Sequence, residues 1–143
     1  MPDFSIITDI AAPPEEVWAV IGDVERWPEW TPSVRSIKRY DTGPLAVGSR
    51  ARIEQPKLRP ADWQVTRLEP GRGFDWETRA PGLTVTGCHW IVPTRAGSQV
   101  TISIRLTGML APIVAWLARK LNASYLDLEA KGLKARCEAV TRT

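Results

Sequence analysis

Residues 110–140, LAPIVAWLARKLNASYLDLEAKGLKARCEAV, decide the fold. After Pro112 at its entrance the stretch has no proline, and its one glycine is Gly132. Leu110, Ile113, Val114, Leu117, Leu121, Tyr125, Leu128, Leu133 and Cys137 recur mostly at steps of three and four, the spacing that lines one face of an α-helix. Arg119, Lys120, Asp127, Lys131, Lys134, Arg136 and Glu138 fall mostly between them, so the predicted helix is amphipathic and needs an apolar partner along nearly its whole length. An unbroken helix would run roughly 45 Å at 1.5 Å per residue, against a radius of gyration of about 14 to 15 Å for a compact chain of this size. It must cross the whole molecule.

Upstream, Phe4, Ile6, Thr8 and Ile10 alternate with Ser5, Ile7 and Asp9, which predicts a half-buried strand over residues 3–11. Pro13 and Pro14 stop that strand and, with Glu15 and Glu16, suit the first turn of a helix over residues 14–21. Gly22 ends this helix, Asp23 caps a second short one through residue 27, and Pro28 keeps the second from continuing. From Val34 onward, turn residues recur at 43–44, 56–60, 70–71, 81–82 and 94–97. The intervals 34–40, 49–55, 62–68, 73–79, 83–92 and 98–107 are strand-length and rich in β-branched and aromatic residues. Connections this short favour an antiparallel meander, because parallel strands need crossovers of a dozen or more residues. The expected architecture is therefore α+β: a seven-stranded antiparallel sheet, two short helices after its first strand, and a long C-terminal helix covering its apolar face.

Composition narrows the function classes. A chain of 143 residues, 43% hydrophobic and 24% charged, reads as one globular domain able to bury its own core. The net charge of +3 is spread along the chain without a dense basic block, so no nucleic-acid partner is expected. No run of eighteen apolar residues occurs, and Pro2 and Asp3 open the chain where a signal peptide would carry basic and then apolar residues. Neither stable membrane insertion nor export is expected. Two isolated cysteines, Cys88 and Cys137, fit a reduced cytoplasmic setting. Seven tryptophans are the departure from average usage; they suit a heavily aromatic core or a chamber for flat apolar ligands.

The segments Ala12-Pro13-Pro14-Glu15-Glu16-Val17-Trp18, DVERWPEW at 23–30, Thr31-Pro32-Ser33-Val34 and Leu68-Glu69-Pro70-Gly71-Arg72, in this order of elements, resemble the polyketide cyclase/dehydrase-like branch of the START/Bet v 1-like (SRPBCC) superfamily. The likeness covers essentially the whole chain. It implies a helix-grip fold with a deep hydrophobic cavity between the curved sheet and the C-terminal helix, used for lipids, polyketides, quinones or other apolar molecules. Some relatives are aromatases or cyclases, and many only bind or carry a ligand, so the fold does not fix the activity.

Candidate site residues follow from strand phase. His89 is the only histidine and hence a candidate for proton transfer near neutral pH; it faces inward if Val85 and Ile91 do, and outward in the opposite phase. Cys88 beside it projects to the other face, which argues against a thiol-imidazole pair. There is no G-x-S-x-G elbow, zinc spacing, P-loop or dinucleotide fingerprint, and no metal or other cofactor is expected. Trp63, Phe74 and Trp76 suit the inward face, opposed to Leu117, Leu121 and Tyr125 on the helix; they either fill the space or line a ligand. Trp30 is placed near the mouth. Gln55 continues the phase of Ala51 and Ile53 and either presents its amide inside, a polar anchor with Thr78 and Tyr125, or faces the turn and water. Lys57 and Arg59 flank Leu58 at the entrance, either as ordinary solvated loop charges or as guides for an anionic head group. The expected function is binding or carriage of a hydrophobic small molecule. The alternatives are a metal-free cyclase or aromatase in which His89 or Tyr125 moves protons, and a protein-interaction module.

Overall fold

The computed structural model describes residues 3–142. Seven strands, β1 (Asp3–Ile10), β2 (Ser36–Arg39), β3 (Arg50–Glu54), β4 (Ala61–Glu69), β5 (Gly73–Ala80), β6 (Leu83–Thr94) and β7 (Gly97–Thr107), form one antiparallel sheet in the order β1-β7-β6-β5-β4-β3-β2. The meander runs from β2 to β7, and β1 closes on β7 with Phe4 opposite Ile104 and Ile6 opposite Ile102. Period-two alternation turns one face inward: Phe74 is paired with His89, and Trp76 with Gly87. A bulge between Val65 and Arg67 on β4 shifts the register, and such bulges bend a strand and increase its twist.

Between β1 and β2 lie α1 (Pro14–Gly22) and a 3₁₀ helix (Val24–Glu29). The expectation that Pro28 ends this second element is corrected: Pro28 sits inside it. Pro28 gives no N–H to the Glu25 carbonyl, and the element closes past it by the Trp30 N–H on the Trp27 carbonyl at 3.0 Å. Trp27 is fixed here by its Nε1, which donates to the Ile21 carbonyl at 3.0 Å.

The C-terminal stretch is not one helix but two, α2 (Ala111–Leu117) and α3 (Arg119–Arg142). At Ala118, φ is −99° and ψ is 10°, far from the helical ψ of about −42°, so the axis turns there. The turn needs no proline or glycine, because the Ala118 N–H still reaches the Val114 carbonyl and the Asn122 N–H still reaches that of Ala118. Its cause is packing. Ala111 and Ala115 join Leu106 in a small cluster against Leu83, Val85 and Ile104, whereas Leu126, Ala130, Leu133 and Cys137 belong to the main core with Ile10, Val17 and Ile21. The bend lets α2 serve the first cluster and α3 the second.

The C-terminal half of α3 is held closely. A Cβ at Gly132 would lie 1.8 Å from the Trp30 carbonyl oxygen, so only glycine permits this approach. Lys134 Nζ donates to the Asp9 carbonyl at 2.7 Å, Glu138 accepts from the Ala11 N–H at 2.9 Å, Arg136 pairs with Glu29 at 2.7 Å, and the Thr141 hydroxyl bonds the Glu16 carboxylate.

Two outcomes follow from this packing. Glycine-to-alanine in a helix ordinarily gains about 1 kcal/mol, but at Gly132 overpacking costs of about 1–3 kcal/mol or more act against it. Gly132→Ala is thus expected to lose about 2 kcal/mol, read as a lower urea midpoint at unchanged slope. Burial, aided by Glu16 and Glu138, pushes the Cys137 thiol up to about 12; burial, aided by Asp75, pushes Cys88 up to about 11. Both thiols should resist a disulfide reagent at pH 8 until the chain unfolds. Because their folded values exceed the unfolded value of about 8.5, the unfolded state loses its thiol protons first, and stability should fall as pH rises from about 9 towards 12; a pH series of urea melts checks the sign.

Candidate functional site

Where α3 no longer touches the sheet, inward-facing strand residues line a cavity of about 240 Å³. Its floor is Trp76 and Thr78 on β5, Val85, Gly87 and His89 on β6, and Ile102, Ile104 and Leu106 on β7. Ala61 and Trp63 on β4 and Ile53 on β3 form one side, with Gln55 just past β3. The roof is Val114 and Ala118 at the bend, then Leu121, Asn122, Tyr125 and Glu129 on α3. Tyr125 and Glu129 are four residues apart and share a helix face. Gly87 keeps the wall thin: a Cβ there would sit 3.2 Å from Trp76 Nε1 and 3.7 Å from Trp63.

One end is closed by Trp27, His89 and Glu129. Trp27 lies 5.3 Å from Trp76 and 4.8 Å from His89, centroid to centroid, and Phe74 stacks on His89 at 5.2 Å and 19°. His89 is 3% exposed, and its Nε2 lies 3.3 Å from Glu129 Oε1. The other ring nitrogen, Nδ1, is buried without a partner. The Tyr125 hydroxyl is likewise buried and unpartnered. Burial raises its pKa, opposed by the nearby Arg35 charge, so the phenol stays protonated and retains a donor. Gln55 Nε2 donates to the Ser33 carbonyl at 3.3 Å. The other end opens past Leu58, which is half exposed, and Leu83 and Val114.

The structure brings Gln55, Leu58, Trp63, Trp76, Thr78, His89, Leu121 and Tyr125 to the cavity wall, with His89 in the phase of Val85. Three sequence candidates fall elsewhere. Trp30 is not at the mouth: it packs on Trp27 beneath Gly132 and lines a separate groove with Glu16 and Arg136. Phe74 is fully buried behind the closed end, against Trp18, Trp27 and His89. Leu117 is 68% exposed because the bend at Ala118 turns it to the solvent side. Sequence reasoning left Trp27 and Glu129 out of the site. Glu129 was legible as an acid four residues beyond Tyr125 on the apolar face; Trp27 carried no such signal, since only the 3₁₀ helix turns it into the cavity.

Residues 1–138 match the family model described as polyketide cyclase/dehydrase and lipid transport. A search of curated proteins gives no match. Among solved structures, the chain is similar to the di-domain ARO/CYC protein StfQ from the steffimycin biosynthetic pathway, with 16% identity and a TM-score of 0.80. The similarity covers 99% of this chain and 52% of StfQ, so the chain spans about half of that protein. It is also similar to a START superfamily protein from Mycobacterium smegmatis, with 17% identity, a TM-score of 0.77, and 96% and 98% of the two chains covered. These likenesses establish the helix-grip fold. By the match over nearly its whole length, the chain belongs to the polyketide cyclase/dehydrase and lipid transport family.

Proposed function

We propose that the protein binds or carries a compact hydrophobic small molecule in the cavity between the sheet and α3. One observation carries this reading: a mostly apolar chamber is open at one end and has unpartnered buried polar groups on its wall. Apolar burial would supply roughly 25 cal/mol per Å², and a few polar groups would set orientation. At about 240 Å³ the space lies just below the roughly 300–1,000 Å³ of common ligand sites. A small ring system or a single short acyl chain suits it better than a two-chain lipid. In this reading Gln55, Leu58, Trp63, Trp76, Thr78, His89, Leu121 and Tyr125, joined by Trp27, contact the guest, and the Tyr125 hydroxyl donates to a guest oxygen.

The His89–Glu129 pair favours a second reading, a cyclase or dehydratase that moves protons on a folded guest. Glu129 would orient the imidazole, and His89 would take a proton from the guest and return it. The StfQ likeness supports this possibility only through the fold.

Native mass spectrometry of protein purified from its own host, followed by extraction, should find an apolar small molecule retained by the chain. A chain that retains none and takes up none of a set of apolar probes would contradict the binding reading. Tyr125→Phe removes a buried, unbonded hydroxyl, so unfolding free energy should hold or rise by up to about 1 kcal/mol. The same change should weaken binding of an oxygenated probe such as 1-naphthol about fivefold to tenfold. His89→Ala should leave apolar binding within about tenfold while abolishing any turnover found; failure of that variant to fold assigns His89 to the core instead.

A further inference from the structure

The α2 helix reverses the usual order of sizes. Its inward side is small, with Ala111 and Ala115 buried and Val114 and Ala118 at the cavity. Its outward side is large: Ile113 is 60%, Trp116 64% and Leu117 68% exposed, and Met109 just ahead is 82% exposed. With Leu110 these residues occupy roughly one third of the helix circumference, at 100° per residue. Scattered exposed hydrophobics need no explanation, but a contiguous set of this size marks a surface that meets something apolar.

The surrounding charge indicates what. From residue 107 to residue 126 the only charged side chains are Arg119 and Lys120, and in the loop 56–60 the only ones are Lys57 and Arg59. Among the described residues no carboxylate pairs with Lys57, Arg59 or Lys120. Arg119 lies 4.5 Å over the Trp116 ring and donates to its carbonyl. Asp62, which shares a groove with Arg59, is already engaged with Arg52, Arg50 and Tyr40. In the loop, Pro56 and the positive φ of Lys57 (68°) make a tight turn, closed by the Leu58 N–H on the Gln55 carbonyl. That turn sets Leu58 between the two cations.

We propose that α2 and the loop 56–60 form a reversible docking surface for an anionic lipid bilayer. Apolar side chains enter the acyl boundary, the indole of Trp116 sits at headgroup level, and the four cations meet lipid phosphates. No helix of the described chain is long and apolar enough to span a membrane, so the attachment is peripheral. A second copy is the poorer occupant, because a two-fold contact through the same patch would bring the four cations against their counterparts. The two elements also flank the mouth, since Leu58 of the loop and Val114 on the inner side of α2 line the cavity. Docking there would let an apolar guest pass between bilayer and cavity without crossing water. That last consequence rests on the ligand-binding reading; the docking itself does not.

Co-sedimentation with phosphatidylcholine vesicles, with and without phosphatidylserine, tests the proposal. The wild-type chain should partition at least about tenfold better onto the anionic vesicles, and high salt should reduce this. Ile113→Glu/Trp116→Glu should lose about tenfold or more of the partitioning, with the thermal midpoint lowered by no more than about 5 °C, because both side chains are mostly exposed and the Arg119–Trp116 ring contact is the one interaction lost. Lys57→Glu/Arg59→Glu should lose the preference for anionic lipid. No wild-type binding to either vesicle, or equal binding by wild type and the Ile113→Glu/Trp116→Glu variant, would overturn the proposal. So would a wild-type dimer, seen by sedimentation equilibrium, that this variant dissolves. Binding of 1-naphthol by the same variant, measured without vesicles, should match wild type, so a failed docking result leaves the cavity reading separately testable.

Discussion

The structure depends on the place where the α3 backbone comes against the Trp30 carbonyl at Gly132. From that contact to its C-terminus, α3 is fastened to β1, α1 and the 3₁₀ helix by core side chains and by Lys134, Arg136 and Glu138. Towards its N-terminus, beyond Leu126, Glu129 and Ala130, no side-chain hydrogen bond or ion pair ties it to the sheet among the described residues. The half-helix carrying Leu121, Tyr125 and Glu129 projects over the sheet and is supported at its far end by α2 on Leu106. The cavity is the span between two supports.

Side chains beneath that span keep it from collapsing. Trp27, Trp63, Phe74, Trp76 and His89 form a run of ring contacts between 4.8 and 6.3 Å, and such edge and offset contacts hold each ring in place. An unfilled apolar space forfeits dispersion contacts and costs stability in proportion to its volume. At Gly87 a side chain would press on Trp76 and Trp63, whose rings need that room.

Much of the fold was legible from periodicity and punctuation. The meander, the inward phase of Ala51 and Ile53, and the apolar face of the final helix all follow from local spacing, which tertiary packing respected. Pro28 misled because a rule for α-helices was applied to a 3₁₀ turn. The bend at Ala118 was hidden because it is set by two separate packing partners and leaves no proline or glycine in the chain. That one bend also misplaced Leu117, which follows the α-helical stripe in sequence but faces solvent in space. Phe74 shows the limit of facing arguments: it points inward, yet depth along the sheet decides whether an inward residue meets the cavity or the core behind it. Glu129 is the opposite case, an acid on an apolar stripe whose meaning appears only when His89 is seen opposite.

The most direct test of the central claim, that α3 roofs a space a guest can enter, is methyl NMR during titration with 1-naphthol. Ile53, Ile102 and Ile104 line the cavity, whereas Ile7 and Ile113 face solvent and Ile21 and Ile37 lie in the core outside the cavity wall. The account predicts saturable shifts concentrated on the first three methyl groups. Shifts confined to Ile7 and Ile113, or none at any isoleucine up to the solubility limit of the probe, would contradict it.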